Sequence, residues 1–418
     1  MTWIFRTRSV WLLAASAAVP GIAAQGVSMP QQSMSLPEVV RLASERRDEI
    51  HAAQARARAG EERPAIVSAL ADPMISPALD HLPFMLGGAD VSVTIEQQFP
   101  LSRVREHRKT ASLADLDRLR AGTARTTLDV GLQAANAFLM LQERRRTATL
   151  VSEQLTFARD VVRAASARYA GGTAPQSDVL RGEVEVARLE ALARSLVSEV
   201  RAAEVMLNTS IAVDAETPVP QLTPVVLNQP IPSWGELKAS LASRPELLAG
   251  RAEVARAEAE IEVMRDMFRP MAIVRTGPSY TMTEGRGWMA MVGVTLPIWR
   301  DKLHAGVAEA QAMRSMSEAD LRAMTRMVEG EAAFASHQLR AARDRYAALN
   351  DDVLPRARMA INPALTGYGA GQLPLISVIE TLQALWSVQA DLIAAEFDVG
   401  LAWARLGRAI GSYEAFVQ

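Results

Sequence analysis

Side chains able to act on a small molecule or an ion are sparse in this sequence. Its five histidines, His51, His81, His107, His304 and His337, are scattered, with no HExxH run and no pair at helical spacing, so no zinc-protease helix or histidine metal clamp is present. With no cysteine there is no disulfide framework, no thiolate metal site and no cysteine nucleophile. The glycine-rich GYGAG at 367–371 follows a helical stretch, whereas a phosphate loop must follow a strand. No motif points to catalysis or to a bound cofactor, and the chain reads as a non-enzyme. Sulfur and glycine remain. Eighteen methionines include a cluster at Met264, Met267, Met271, Met282, Met289 and Met291, and thioether sulfur is a soft ligand suited to Cu(I) or Ag(I). Met271, Met289 and Met291 are the metal-contact candidates, with gap filling as the competing use of the residue. Gly171 and Gly172, and later Gly369 and Gly371, permit the positive φ that reverses a helix sharply. Beside them Thr173, Gln176 and Ser177, and in the second case Gln372, Leu373 and Pro374, are turn positions open to contact with another helical hairpin. Turn formation alone is the competing reading.

The elements that must carry these residues follow from length and composition. The chain has 418 residues, 45 basic and 47 acidic side chains, 49% hydrophobic residues and only 5% aromatics. That length suits two or three ordinary domains, the balanced charge leaves no nucleic-acid footprint, and an Ala-, Leu- and Val-rich mixture favours long helices packed through small residues. At the N-terminus Arg6 and Arg8 precede VWLLAASAAV, with a cleavage point expected after Ala24, the pattern of a secretory signal peptide over residues 1–24. An uncleaved anchor is the competing reading, but about ten strongly apolar residues fall short of the ~20 that span a bilayer. Removing that segment takes away two Arg and no acid, so the mature charge is 43 − 47 = −4. No later stretch is long and apolar enough for a membrane helix, so any membrane role must come through strands.

An internal duplication organises the rest. ERRDEIHAAQARARAGEE at 45–62 parallels ASRPELLAGRAEVARAEA at 242–259, so Glu49 matches Glu246. Pro100 and Leu101 match Pro297 and Ile298 at an offset of 197, and RYAGGTAPQSDVL at 168–180 matches GYGAGQLPLISVI at 367–379 at an offset of 199. The expected organisation is a first repeat over 25–214, a proline-rich linker over 215–233 and a second repeat over 234–418. Each repeat opens with a helix of about thirty residues, at 36–70 and 234–268. A β-hairpin follows, at 74–99 and 271–296. A proline-free helix over 102–168 then reaches ~100 Å, at 1.5 Å per residue. Its counterpart runs from Leu303 and meets Pro355 and Pro363, where a kink or short break is expected. Tips near 171–175 and 369–374 lead into return helices at 176–211 and 375–410, with heptad-like Val179, Val186, Leu189, Leu192 and Leu196.

The strands alternate strictly. Val91, Val93, Ile95 and Phe99 share one face of the 90–99 segment, with Asp90, Ser92, Thr94, Glu96 and Gln98 on the other. In 288–296 the faces are Trp288, Ala290, Val292, Val294 and Leu296 against Met289, Met291, Gly293 and Thr295. This is the length and pattern of a transmembrane β-strand, although a soluble antiparallel sheet alternates in the same way. Four strands cannot close a barrel, and lipid does not tolerate open edges, so a barrel would be shared between subunits. Two chains would give eight strands with a filled interior, and three would give twelve with a lumen.

With the duplication, the two tip sequences, QQFPL and TLPIW at the strand-to-helix passages, and VLPRA before the second tip, the chain resembles the TolC-like outer-membrane efflux factors over about residues 36–411. The resemblance implies a mainly α protein with a small β-barrel: three protomers forming a twelve-stranded barrel in the outer membrane, continued by a periplasmic helical tunnel. It implies a passive duct, with no cofactor, whose periplasmic tips contact an adaptor coupled to an inner-membrane pump of the RND type. Carried onto this sequence, the tip contacts are Gly171, Gly172, Thr173, Asp178, Gly369, Gly371, Gln372 and Ser377. Asp178 keeps the family's Asp-Val pair, whereas Ser377 replaces the acid in the second tip. The N-terminal cysteine that bears lipid in some branches is absent, leaving the barrel as the anchor. TLPIWRDKLHAGVAEA is similar to the cation-efflux branch, which places export of copper or silver ahead of drugs. A soluble periplasmic hairpin adaptor without a barrel is the alternative.

Overall fold

In a computed structural model the described residues are 33–85 and 88–413, with side chains described outside 80–89. The expected signal peptide at 1–24 and residues 86–87 of the first β-hairpin lie outside them. The chain begins with α1 (Leu36–Arg46) and α2 (Asp48–Ser68), then β1 (Met74–Met85) and β2 (Gly88–Pro100). The helical hairpin α3 (Val104–Ala170) and α4 (Gln176–Ser210) follows. After the linker come α5 (Trp234–Leu241), α6 (Pro245–Asp266), β3 (Met271–Thr281) and β4 (Gly285–Thr295). The chain closes with α7 (Arg300–Ala347), a π-helical segment (Ala348–Val353), α8 (Leu354–Gly369) and α9 (Leu375–Ile410).

The expected opening helices are each broken in two. In the second repeat the cause is local: Arg244 precedes a proline, which excludes it from the helical region, and it sits at φ −58°, ψ 131°. In the first repeat Arg47 adopts the same extended shape, φ −69° and ψ 127°, without a proline. Its guanidinium turns instead to Glu49 and to Gln133 on α3. The kink or short break expected at Pro355 is a π-helical irregularity. Helix α7 runs into α8 through the π segment, whose wider turn takes up the missing N–H and the ring clash without ending the helix. Pro363 lies inside α8 without ending it.

Helix α3, 67 residues and ~100 Å long, is the spine of the molecule. Near the strands it packs on α2 and α6; farther along it packs on α4 and α9, while α7 packs on α6 and α9. Close approach relies on absent side chains: a Cβ on Gly182 would stand 2.7 Å from Val162 of α3, and one on Gly400 would stand 2.7 Å from Leu139. One buried cluster gathers Phe138, Leu141, Leu207 and Ile211 at mid-length, and another gathers Leu189, Leu196, Leu375 and Trp386 toward the tips. Among the described residues no helix is long and apolar enough to cross a membrane.

The linker crosses the helices as a strap. Proline removes donors from it, so its carbonyls are served by side chains. Arg145 donates to Pro220 O at 2.6 Å and Val219 O at 2.8 Å, Asn208 to Thr217 O at 2.7 Å, and Arg343 to Gln229 O at 2.7 Å. Deeper in, Arg244 is fully buried at the C-terminal end of α9. It donates to the carbonyls of Arg408 and Ala409, and pairs with Glu246 at 2.9 Å and Glu331 at 3.2 Å. Glu246 in turn receives Arg408 at 2.8 Å, which also holds Asp129 of α3 at 2.8 Å. A cation there satisfies terminal carbonyls and complements the helix dipole.

Candidate functional site

Two regions carry the functional candidates: the paired tips at one end and the sheet at the other. Both tips use the same turn. Gly172 (φ +69°) and Gly371 (φ +71°) are left-handed, and the residues after them reach back five positions, Thr173 N to Arg168 O at 2.9 Å and Gln372 N to Gly367 O at 2.8 Å. Only one left-handed residue is needed per turn. Gly171 therefore has an ordinary φ of −80°, and Gly369 is the last residue of α8, so the positive φ expected at these two is not used. Thr173 closes its turn again through its hydroxyl, which donates to Arg168 O at 3.0 Å. Asp178 and Ser377 lie in the first turns of α4 and α9, Asp178 being buried.

The tips are joined by residues that sequence reading did not single out. Arg168, at the end of α3, donates to the carbonyl of Tyr368 at the end of α8, lies 4.5 Å from that ring's centroid, and donates to Thr173 O at 3.2 Å. Its Nη2 would be 3.5 Å from a Cβ at Gly371. One guanidinium thus touches both turns. Tyr368 is buried and its hydroxyl has no hydrogen-bond partner among the described residues. Burial pushes its phenol up and the charge of Asp178 adds to this, while Arg168 pulls it down. The signal was present in RYAGG and GYGAG, an arginine in the last turn of one tip helix and a ring in the last turn of the other.

At the far end the four strands form one antiparallel sheet in the order β1-β2-β3-β4, leaving β1 and β4 as edges. Its apolar face is bare: Trp288 is 70% exposed, Val292 75% and Leu296, just past β4, 72%. Cross-strand pairing aligns the opposite face. Met74 pairs with Glu96, Glu96 with Arg275 and Arg275 with Met291, so these four form one row. Arg275 Nε donates to Glu96 at 2.9 Å in the middle of that row. Met289 and Met271 share this polar face through their partners Gly277 and Thr295. The histidines stay apart in function: His107 Nδ1 stands 3.0 Å from Asp266, and His304 packs edge-on against Phe268. Among the described residues no three His, Asp or Glu side chains are grouped as for a metal ion.

An exposed apolar sheet face on a four-stranded, two-edged sheet, set on helices ~100 Å long, defines an outer-membrane channel fold. The comparisons agree. Residues 236–412 match the family model described as outer membrane efflux protein. The outer membrane efflux protein BepC of Brucella suis biovar 1 is 27% identical over 293 residues, 68% of this chain and 63% of that one. The cobalt-zinc-cadmium resistance protein CzcC of Cupriavidus metallidurans is 27% identical over 275 residues, 62% of each. The matches thus span less than two thirds of either relative. A crystal structure of CusC, described for its transmembrane channel formation, superposes with a TM-score of 0.81 at 13% identity, covering 92% of this chain and 97% of that one. Residues 236–412 are thus similar to outer membrane efflux proteins, and the chain shares the fold of CusC. The fold is that of an outer-membrane channel with a long helical part.

Proposed function

We propose that this chain is the passive outer-membrane duct of a tripartite export system, working as a homotrimer. The observation that carries the reading is the sheet. Its apolar face is exposed and its polar face carries an ion pair, as a barrel wall between lipid and water requires. Its edges cannot stay open in lipid, and three copies of four strands make a twelve-stranded wall with a lumen. Lateral association of copies is supported by exposed Val184 and Val197 on α4 and by Phe334 and Met359 on α7 and α8. Direction of transport comes from an inner-membrane pump of the RND type, reached through a periplasmic adaptor that docks on Gly172, Thr173, Gly371 and Gln372. The kinship to CzcC favours heavy-metal cations over drugs as cargo.

In this reading Arg168 holds the tips closed. Full-length protein in planar bilayers is expected to conduct poorly, and Arg168→Ala to raise conductance several-fold with the heat-modifiable trimer unchanged. A wild type that forms no pore and fractionates with soluble periplasm would defeat the duct; equal conductance in the two proteins would defeat the latch alone.

A further inference from the structure

We propose that the lumen face of the sheet carries a thioether contact site for a soft monovalent cation, Cu(I) or Ag(I), centred on Met289 and Met291. The proposal rests on the duct reading, which makes this face the wall of an aqueous passage. Met74, Met271, Met289 and Met291 all lie on the polar face of the sheet by strand pairing. Hydrophobicity alone would send methionine to the opposite, lipid-facing side, where valine and tryptophan stand. Gap filling does not account for them either, since Met74, Met289 and Met291 are 53%, 38% and 41% exposed and have no core to fill.

The local geometry suits an ion. Met289 and Met291 are two apart on β4, so their Cα atoms are about 6.6 Å apart and their side chains leave the same face. Two flexible thioethers at that spacing can close on one cation. Opposite Met289 is Gly277, which has no side chain to occupy the space beside it. Glycine is required there, because a Cβ would come within 2.0 Å of Val93 O. Opposite Met291 is Arg275, whose charge Glu96 neutralises across the next strand. The site thus offers sulfur in a nearly neutral setting, which favours a soft, weakly hydrated cation over a hard divalent one. Weak contacts of this kind also permit release along a passage.

The test uses full-length trimer in detergent with methyl-labelled methionine, titrated with Ag(I) and read by methyl NMR. Met289→Leu with Met291→Leu keeps volume and removes sulfur. A control pair, Met313→Leu with Met316→Leu, removes two exposed sulfurs from α7. We expect the β4 pair to lose at least tenfold in silver affinity and the control to match wild type. Equal silver binding in wild type and the β4 pair, with Arg168→Ala conducting in bilayers, overturns the site alone. A protein that fractionates with soluble periplasm and forms no pore even as Arg168→Ala overturns the duct, and the site with it.

Discussion

At the scale of the residue, charge placed out of water determines most of what single side chains do. Burial alone would raise the Glu246 carboxyl, but the hydrogen bond from Arg244 and the charges of Arg244 and Arg408 outweigh it and hold Glu246 below the ordinary 4.5. A carboxylate held low in the folded chain adds stability above that value and loses it as pH falls through the folded pKa. Glu246→Gln is therefore expected to lower the thermal midpoint at pH 7. The gap to wild type should close below about pH 4.5, a window set by that direction of shift. A gap constant with pH would mean that Glu246 acts through packing instead. Glu246→Ala leaves Arg244 and Arg408 short of a partner in the interior and is expected to cost on the order of 3 kcal/mol. Arginine at 244 and 168 was visible in the sequence, but its use was not. The distant helix-end carbonyls that each one serves lie 164 to 200 residues away along the chain, where no periodicity reaches.

At the scale of the element, patterns spanning ten or more residues were legible and short breaks were not. Strict alternation marked the strands, and the lack of proline marked α3, because both are properties of every residue in the run. The break in the first opening helix has no local signal, since Arg47 is held extended by contacts to Glu49 and Gln133, whereas the break in the second follows the local rule at Pro245. At Pro355 the expected kink or short break takes the form of a π segment, because the helix could widen instead of ending. The tip turns follow a local rule and allow a sharp prediction. At Gly172 and Gly371 a side chain imposes a left-handed penalty of about 1–2 kcal/mol. The hydrogen bonds of each turn remain possible, so Gly172→Leu and Gly371→Glu are expected to leave the trimer assembled on gels and to abolish export. Complementation of a deletion strain measures this, and undiminished export by both variants would remove the tips from adaptor docking.

At the scale of the whole molecule, the duplication predicts how copies join. Pro73 and Met74 recur as Pro270 and Met271, and Pro100 as Pro297, all 197 apart. Gln98 of β2 pairs with Ile273 of β3, and their equivalents on the open edges are Thr295 and Ser76. Ser76→Cys with Thr295→Cys is expected to give a covalent trimer on oxidation, against a background free of native cysteine. Either single variant should stay monomeric on denaturing gels, and a double variant that does the same would show that the seam has another register. The copies are nonetheless unequal. Met74 pairs 22 residues onward with Glu96, while Met271 pairs 24 onward with Thr295. Arg168 is matched by Gly367 at the tip offset of 199, so in the bond between the tips the first donates and the second receives. Around a trimer the six tips would alternate in role, which lowers the symmetry of the closed end from six to three. A gate of that kind is a ring of three coupled couples: each protomer can be unfastened once, and no tip can exchange places with its neighbour.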